Sequence, residues 1–298
     1  MKGLPGSGKS TIAQGKMLAD GNIVRINKDL LRKMLHFNKF TGVNEGLTRD
    51  AARDLVKLFI GKGTNVLIDD TNLNLGTMQS WQDLAKELNA KVEIMDLTDV
   101  PIEECILRDS RREEQVGAIV IKNMAIRSGI KKFEPDSVVI CDIDGTISDP
   151  SARLHYVNEE NYKKRVKKKE IEKREWKKDW NAFFSEIELD PIRPDTQKIL
   201  IKNYNEGKTI IFLSARPERF QDGTLRWLQQ NYLTFAYTLI MRKNNDKRPD
   251  VDVKREIFNT YFPDKGVVHA IYDDRPSIIR LWQELGLNVI DCGSGKEF

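Results

Sequence analysis

The 298-residue chain has little cysteine, little histidine and no long apolar run. Cys105, Cys141 and Cys292 are odd in number, widely spaced and without a Cys-x-x-Cys pair, which argues against a disulfide framework or a structural zinc site. The expected compartment is reducing. His36, His155 and His269 show no ligand spacing and receive no role; His269 reads as a residue inside a strand. No apolar stretch approaches the roughly 20 residues of a membrane helix, and Met1-Lys2 lead into a glycine-rich loop rather than a signal peptide. These absences predict a soluble, cytoplasmic chain with no membrane partner. Charge is nearly balanced, 49 Lys plus Arg against 45 Asp plus Glu, so its distribution matters more than the net +4.

What is present divides in two. The length suffices for two α/β domains, each with its own core. Between them, residues 131–136 follow a helix-ending Ser128-Gly129 and contain Pro135, which blocks helix continuation. The expected division is therefore 1–130, a linker, and 137–298.

In the second half, Val138-Val139-Ile140-Cys141 reads as a short buried strand running into Asp142-Ile143-Asp144-Gly145-Thr146. Alternation sends the Asp142 and Asp144 carboxylates the same way, so one can attack phosphorus while the other moves protons. Such a pair repels itself unless neutralised, and a divalent cation held by hard oxygen ligands, magnesium by preference, answers that. The bland alternative is a strand end with acidic turn residues.

Gly3-Leu4-Pro5-Gly6-Ser7-Gly8-Lys9-Ser10-Thr11 fits G-x-x-x-x-G-K-[ST]. Its backbone amides can surround a di- or triphosphate, with Lys9 reaching the β- and γ-phosphates, Ser10 holding magnesium, and a helix from Ser10 to Ala19 pointing its positive end at the anion. Such a loop ordinarily hangs from a buried strand, and only Met1 and Lys2 precede it. The expectation is a domain without its first strand, and a glycine-rich turn before a helix stays open as the plain reading.

Ile23–Ile26, Val66–Ile68 and Val92–Leu97 read as further strands, with helices from Lys28 and Leu75 between them. Asp29 and Arg32 fall on one helix face, suited to taking a proton from an acceptor hydroxyl and gripping a phosphate, or to an ordinary surface ion pair. Asp69-Asp70 end the next strand. Arg108-Asp109-Ser110-Arg111-Arg112 suits a lid helix over a triphosphate or a solvated face.

The Asp-x-Asp-Gly-Thr turn resembles that of the haloacid dehalogenase-like phosphotransferases, as do Ser214-Ala215-Arg216 after the strand Thr209–Leu213, Lys254, and Asp273-Asp274 after the strand Val267–Tyr272. The resemblance implies Asp142 as nucleophile forming an aspartyl-phosphate, Asp144 as general acid and base, and Ser214 and Lys254 holding the transferred phosphate. Asp273 and Asp274 would complete a magnesium site with Asp142 and Asp144.

Over nearly the whole chain, the order of phosphate-binding loop, Asn-Lys-Asp-x-x-Arg, Asp-Thr-Asn, arginine-rich lid and Asp-x-Asp-Gly-Thr resembles the bacteriophage polynucleotide kinase/3′-phosphatase family. That likeness implies ATP as phosphate donor, with Lys9 and Ser10 on its phosphates and magnesium, and Arg108 and Arg112 in the lid, Arg112 clamping the donor. It makes Asp29 the general base, with Arg32 on the acceptor's 3′-phosphate and Asp70 as buttress. It also implies Arg153 on the 3′-phosphate of the second site, nucleic-acid ends as substrates, and coupling to a ligase.

Residues 151–190 occupy the place of a substrate-choosing cap. A basic helix carrying Trp176 and Trp180 four apart could grip a backbone and stack a base, or be a solvated helix anchored by its tryptophans. Arg216 is close enough to Ser214 to reach a second phosphate oxygen, and Asp250 lies one helical turn before Lys254 and could orient it. The leading expectation is an end-healing enzyme with a 5′-kinase and a 3′-phosphatase. Alternatives are a phosphatase with an inactive kinase module, a small-molecule kinase/phosphatase fusion, and a binding protein without turnover. Assembly into a homo-oligomer stays open.

Overall fold

A computed structural model of the chain describes residues 1–39, 41–173, 175–232, 237–293 and 295; Arg174, in the basic run of the expected cap, lies outside them. The chain divides into two compact units, Met1–Lys131 and Lys132–Phe298. Among the described residues no helix is long and apolar enough to cross a membrane.

The first unit runs α1 (Lys9–Ala19), β1 (Ile23–Ile26), α2 (Lys28–His36), α3 (Gly42–Gly61), β2 (Asn65–Ile68), α4 (Leu75–Glu87), α5 (Ile102–Asp109) and α6 (Ala118–Arg127). β1 and β2 pair in parallel, Ile26 opposite Ile68. The 20-residue α3 has no counterpart in the sequence reading; Thr41 caps it, and its buried Thr48, Ala52 and Val56, spaced by four, face one way. That face meets Ile26 and Leu84 in one core cluster, while Leu4, Cys105, Ile121 and Ala125 form another.

One expectation fails here, and another is refined. Val92–Leu97 is not a strand: only Asp96 bridges, in parallel with Lys2. The expected gap before the phosphate-binding loop is also partly filled, since the Met1 ammonium donates to Ile68 O at 2.9 Å, Lys2 N to Met95 O at 2.8 Å and Leu97 N to Lys2 O at 2.8 Å. So short a ladder satisfies too few backbone groups on residues 92–97 to hold them extended as a strand.

The second unit runs β3 (Val138–Cys141), α7 (Glu159–Lys167), α8 (Trp180–Ser185), α9 (Pro194–Asn205), β4 (Thr209–Pro217), α10 (Gln221–Asn231), β5 (Tyr237–Arg242), α11 (Asp250–Tyr261), β6 (Val268–Asp273), α12 (Pro276–Glu284) and β7 (Val289–Asp291). Its sheet has the order β5-β4-β3-β6-β7, all parallel. All of β3 is buried, as expected for a β-branched strand covered on both faces. Cys141 lies opposite Phe212 and Tyr272, so the ends of three central strands gather Asp142, Ser214 and Asp273 at one edge.

The expected cap helix through Trp176 and Trp180 is not formed. Trp176 lies in irregular chain with its indole N–H on His155 O at 2.9 Å, whereas Trp180 begins α8. The basic helix is α7, where Lys163 and Lys164 pair with Glu159 and Glu160 one turn back, each at 2.7 Å. Local charge pairing thus uses the lysines that seemed available to a phosphate backbone.

Candidate active sites

In the second unit the turn after β3 is held tightly. Gly145 has φ 86°, and a Cβ there would lie 2.1 Å from Asp274 Oδ2, so glycine is required both by backbone and by space. Thr146 Oγ1 donates to Asp274 Oδ1 at 3.0 Å, tying the turn to the end of β6.

Lys254, buried in α11, donates to Asp142 Oδ1 at 2.7 Å and Asp273 Oδ2 at 2.8 Å. Burial works against its charge, but Asp142 and Asp273 outweigh it and raise its pKa. Asp250 does not orient it: that carboxylate pairs with Arg242 and Arg275, because α11 turns its first residue toward β5 and the start of α12. Asp142, Asp273 and Asp274 each present an oxygen within 4.8 Å of the others. Three buried carboxylates face one ammonium, an excess of negative charge that suits a divalent cation. Burial pushes the Asp142 carboxyl well up, and burial with Asp273 pushes Asp274 up to about 7.

Asp144 stands apart from that trio. Its Oδ1 accepts from Arg216 Nη2 at 2.6 Å and from Arg153 Nη2. Burial works to raise its pKa, but Arg216 and Arg153 win and hold it below the usual carboxylate range. Arg153 is 1% exposed; its Nε donates to Asp190 Oδ1 at 2.7 Å and its Nη1 to Phe183 O at 2.8 Å. The arginines expected on phosphate therefore both rest on Asp144. Ser214 Oγ accepts from Arg216 N at 3.2 Å, which fixes the turn between them.

Asp190 was not foreseen, and nothing local marks it, since it lies 37 residues from Arg153. Trp282, whose indole donates to Asp273 Oδ2 at 3.2 Å, was equally invisible.

In the first unit the loop leads into α1 through Gly8, left-handed at φ 95°. At Gly6 a Cβ would sit 2.1 Å from Cys105 O, so the loop packs directly on α5. The Lys9 ammonium is buried and folds back onto Gly3 O at 3.0 Å, Leu4 O at 2.7 Å and Ser7 Oγ at 3.4 Å; burial lowers its pKa. Ser10 Oγ donates to Asp69 Oδ2 at 2.9 Å, which also accepts from Arg25 Nε at 2.7 Å. Asp69 Oδ1 is buried without a hydrogen-bond partner among the described residues. An orphaned carboxylate oxygen on the residue that holds the Ser10 hydroxyl fits a cation there. Asp69 went unremarked as a site residue although it directly follows β2, beside Asp70.

Asp70 Oδ1 caps α2 from outside, accepting from Lys28 N at 3.0 Å, and burial raises its pKa. Asp29 is open, its side chain 83% exposed, and accepts from Arg32 Nη1 at 2.6 Å. Arg32 is also held by Glu45 of α3, Nη2 to Oε2 at 2.9 Å, a partner 13 residues away that no motif signals. The arginine cluster is not a lid helix: Arg108 sits in the last turn of α5, paired with Glu104 at 2.7 Å, and Arg111 and Arg112 lie in the turn beyond. Asp109 stops the helix by accepting from Val116 N at 3.0 Å and Gly117 N at 2.9 Å, and Arg112 Nη1 reaches it at 3.2 Å. Thr11 follows Ser10 in the first turn of α1.

Taken together, these are two parallel-sheet α/β units, one of the P-loop type and one of the haloacid dehalogenase-like type. Residues 181–297 match the family model described as the polynucleotide kinase PNKP phosphatase domain, and residues 1–135 match the AAA domain. The first of these matches begins beyond Asp142 and Asp144 and takes in Ser214, Lys254, Asp273 and Asp274.

The chain is 26% identical over 312 residues to a protein of Autographa californica nuclear polyhedrosis virus named "Putative bifunctional polynucleotide kinase/RNA ligase", covering 97% of this chain and 41% of that one. It is 27% identical over 161 residues to the L-seryl-tRNA(Sec) kinase of Methanococcus maripaludis, covering 52% of this chain and 60% of that one. It thus spans less than two thirds of either relative. Among solved structures, a chain of the Pnkp1/Rnl/Hen1 RNA repair complex is 25% identical with TM-score 0.43, covering 99% of this chain and 95% of that one.

Proposed function

We propose that the chain heals nucleic-acid ends: its first unit transfers the γ-phosphate of ATP to a 5′-hydroxyl, and its second removes a 3′-phosphate. The observation that carries the reading is the division of labour around Asp142 and Asp144. One carboxylate joins Lys254 and two further aspartates, and the other is held by two arginines. Two carboxyl groups pushed apart in pKa by their surroundings can take different roles. Support for polynucleotide ends comes from the phosphatase-domain match and from the viral relative.

In the second unit an Asp142 oxygen attacks phosphorus, the bond from phosphorus to the 3′-oxygen breaks, and Asp144 delivers the proton to the leaving oxygen. Asp144 starts as a carboxylate; the substrate phosphate draws Arg216 away from it, and Asp144 takes its proton from the phosphate monoanion, which is left as the dianion. Asp144 then takes a proton from water, whose oxygen displaces Asp142 and frees inorganic phosphate. Ser214 and Lys254 hold the phosphate oxygens. Asp142, Asp273 and Asp274 would hold magnesium, which when bound offsets the charge of the phosphate and the carboxylates.

In the first unit Asp29 accepts the 5′-hydroxyl proton as that oxygen attacks the γ-phosphorus and ADP leaves. Arg32 steadies the acceptor phosphate and Asp70 fixes the α2 N-terminus. The loop amides and Lys9 take the donor phosphates, with Arg108 and Arg112 at the loop's open side. Ser10 and Asp69 would hold the magnesium that accompanies ATP. The products, a 5′-phosphate and a 3′-hydroxyl, are what a ligase of the adenylate-forming class consumes, so such an enzyme acts next.

The test follows labelled γ-phosphate into a 5′-hydroxyl oligonucleotide and phosphate release from a 3′-phosphate oligonucleotide. Lys9→Ala should abolish only the first and Asp142→Asn only the second. Activity undiminished in both variants would sink the proposal.

A further inference from the structure

A cleft of the first unit that the two sites do not use opens beside α2. It has a volume of about 370 Å³ and is lined by Lys28, Arg49, Arg53, Gly76 and Trp81 together with Asn74, Thr77 and Ser80. Three of these residues are cationic and none is acidic. Arg53 is already oriented, with Nη1 on Ser80 Oγ at 2.8 Å and Ser80 O at 3.3 Å. Arg49 meets the loose, exposed Asp50 at 3.8 Å, and Lys28 meets Asp70 at 3.4 Å.

The remaining wall is the N-terminus of α4, where Asn74 caps Thr77 N at 3.0 Å and Gly76 leaves the backbone without a side chain over it. The Trp81 indole N–H is buried and has no hydrogen-bond partner among the described residues. A buried donor without an acceptor is costly, and three cations with a helix N-terminus form a field that favours an anion. A phosphate group in the cleft answers that field. Lys28, which lines the cleft, directly precedes Asp29, and the other lining residues come from α3, from α4 and from its cap Asn74.

We infer that this cleft holds an internal phosphodiester of the acceptor strand, one that a mononucleotide acceptor does not possess. The inference rests on the 5′-kinase reading and adds the substrate class: a single strand of several nucleotides. Arg49 and Arg53 supply charge, and Trp81 forms part of the wall. The site is separate from the donor loop, so it discriminates among acceptors without changing affinity for ATP.

The experiment measures ATP-dependent transfer by the full chain to two acceptors, a nucleoside 3′-phosphate and a ten-nucleotide 5′-hydroxyl strand. The proteins are the unaltered chain, the double variant Arg49→Gln with Arg53→Gln, and Trp81→Phe. The double variant should raise KM for the strand about tenfold or more, the loss of one or two charge-assisted contacts, with kcat kept. KM for the mononucleotide and for ATP should not move. Trp81→Phe should give a smaller rise of the same kind.

An arm that leaves the fold untouched uses the unaltered protein with strands carrying one neutral methylphosphonate at successive linkages. One internal linkage should reproduce the KM rise, and the salt dependence of KM should weaken with it. Equal losses on both acceptors, a shift in KM for ATP, or no loss on either would overturn the inference. Transfer to neither acceptor by the unaltered protein would overturn the kinase reading, and the acceptor-strand cleft with it.

Discussion

The two candidate sites differ in how much of their chemistry is assembled before a ligand arrives. In the second unit, five parallel strands bring Asp142, Asp144, Ser214, Lys254 and Asp273 into a buried cluster in which charge already meets charge. In the first, a two-stranded sheet supports a loop whose lysine is turned onto its own carbonyls and a helix, α2, with no fully buried residue. Asp29 faces solvent, and Arg32 is shared with Glu45. A site on a deep sheet edge is held by packing, whereas a site on a helix over a narrow sheet needs its substrate's charges to finish it.

Chemical knockouts should break this comparison most sharply. Asp144→Asn should lower 3′-phosphate release about 10² to 10⁴-fold while leaving 5′-transfer intact, read by steady-state assay of both reactions. Loss of both activities together would mean the units do not work independently.

Next comes stability. Arg153→Ala leaves Asp144 and Asp190 buried without their shared partner and should cost about 3 to 5 kcal/mol in denaturant unfolding. Asp29→Ala should abolish transfer yet change stability by no more than about 0.5 kcal/mol, since that carboxylate is exposed. Similar costs for the two would erase the distinction between a packed site and an open one.

A third effect separates the sites by pH. Asp274 is pushed up to about 7 by burial and Asp273, well above its unfolded value. Its protonated form favours the fold, so that contribution is present at low pH and fades as pH rises toward about 7. Magnesium competes with the same proton. The rise in melting temperature on adding magnesium should therefore grow as pH is raised from about 5 to 8. A shift that is flat with pH would place the cation elsewhere.

The smallest expected effect concerns Arg32. Glu45→Gln should free its guanidinium for the acceptor and change KM for the 5′-hydroxyl strand about two- to fivefold, with phosphate release from 3′ ends unchanged. An unaltered KM would make Glu45 a packing partner only.

Local pattern determined a good deal of this protein. The phosphate-binding loop and the Asp142 to Thr146 turn are contiguous, so glycine, carboxylate and strand signals announce them without tertiary help. The strands β3, β4 and β6 were legible for a related reason: buried parallel strands are short apolar runs wherever they occur. α3 escaped notice because its buried face is built from Thr48, Ala52 and Val56, small residues that make a weak pattern among charges. Val92–Leu97 misled in the opposite sense, since an apolar, β-prone segment is a strand only where a neighbour offers a ladder.

Only the tertiary structure decided which charges meet. Arg153 with Asp190, Arg32 with Glu45, and Lys254 with Asp142 and Asp273 are joined across 37, 13, 112 and 19 residues, and no spacing rule reaches that far. Asp250, one turn from Lys254, was the neighbour that local geometry favoured, and the packing of α11 gave it to Arg242 and Arg275 instead. Chemical identity is local, because it is a property of side chains and their turn; electrostatic partnership is not, because a buried charge pairs with whatever the fold brings within reach.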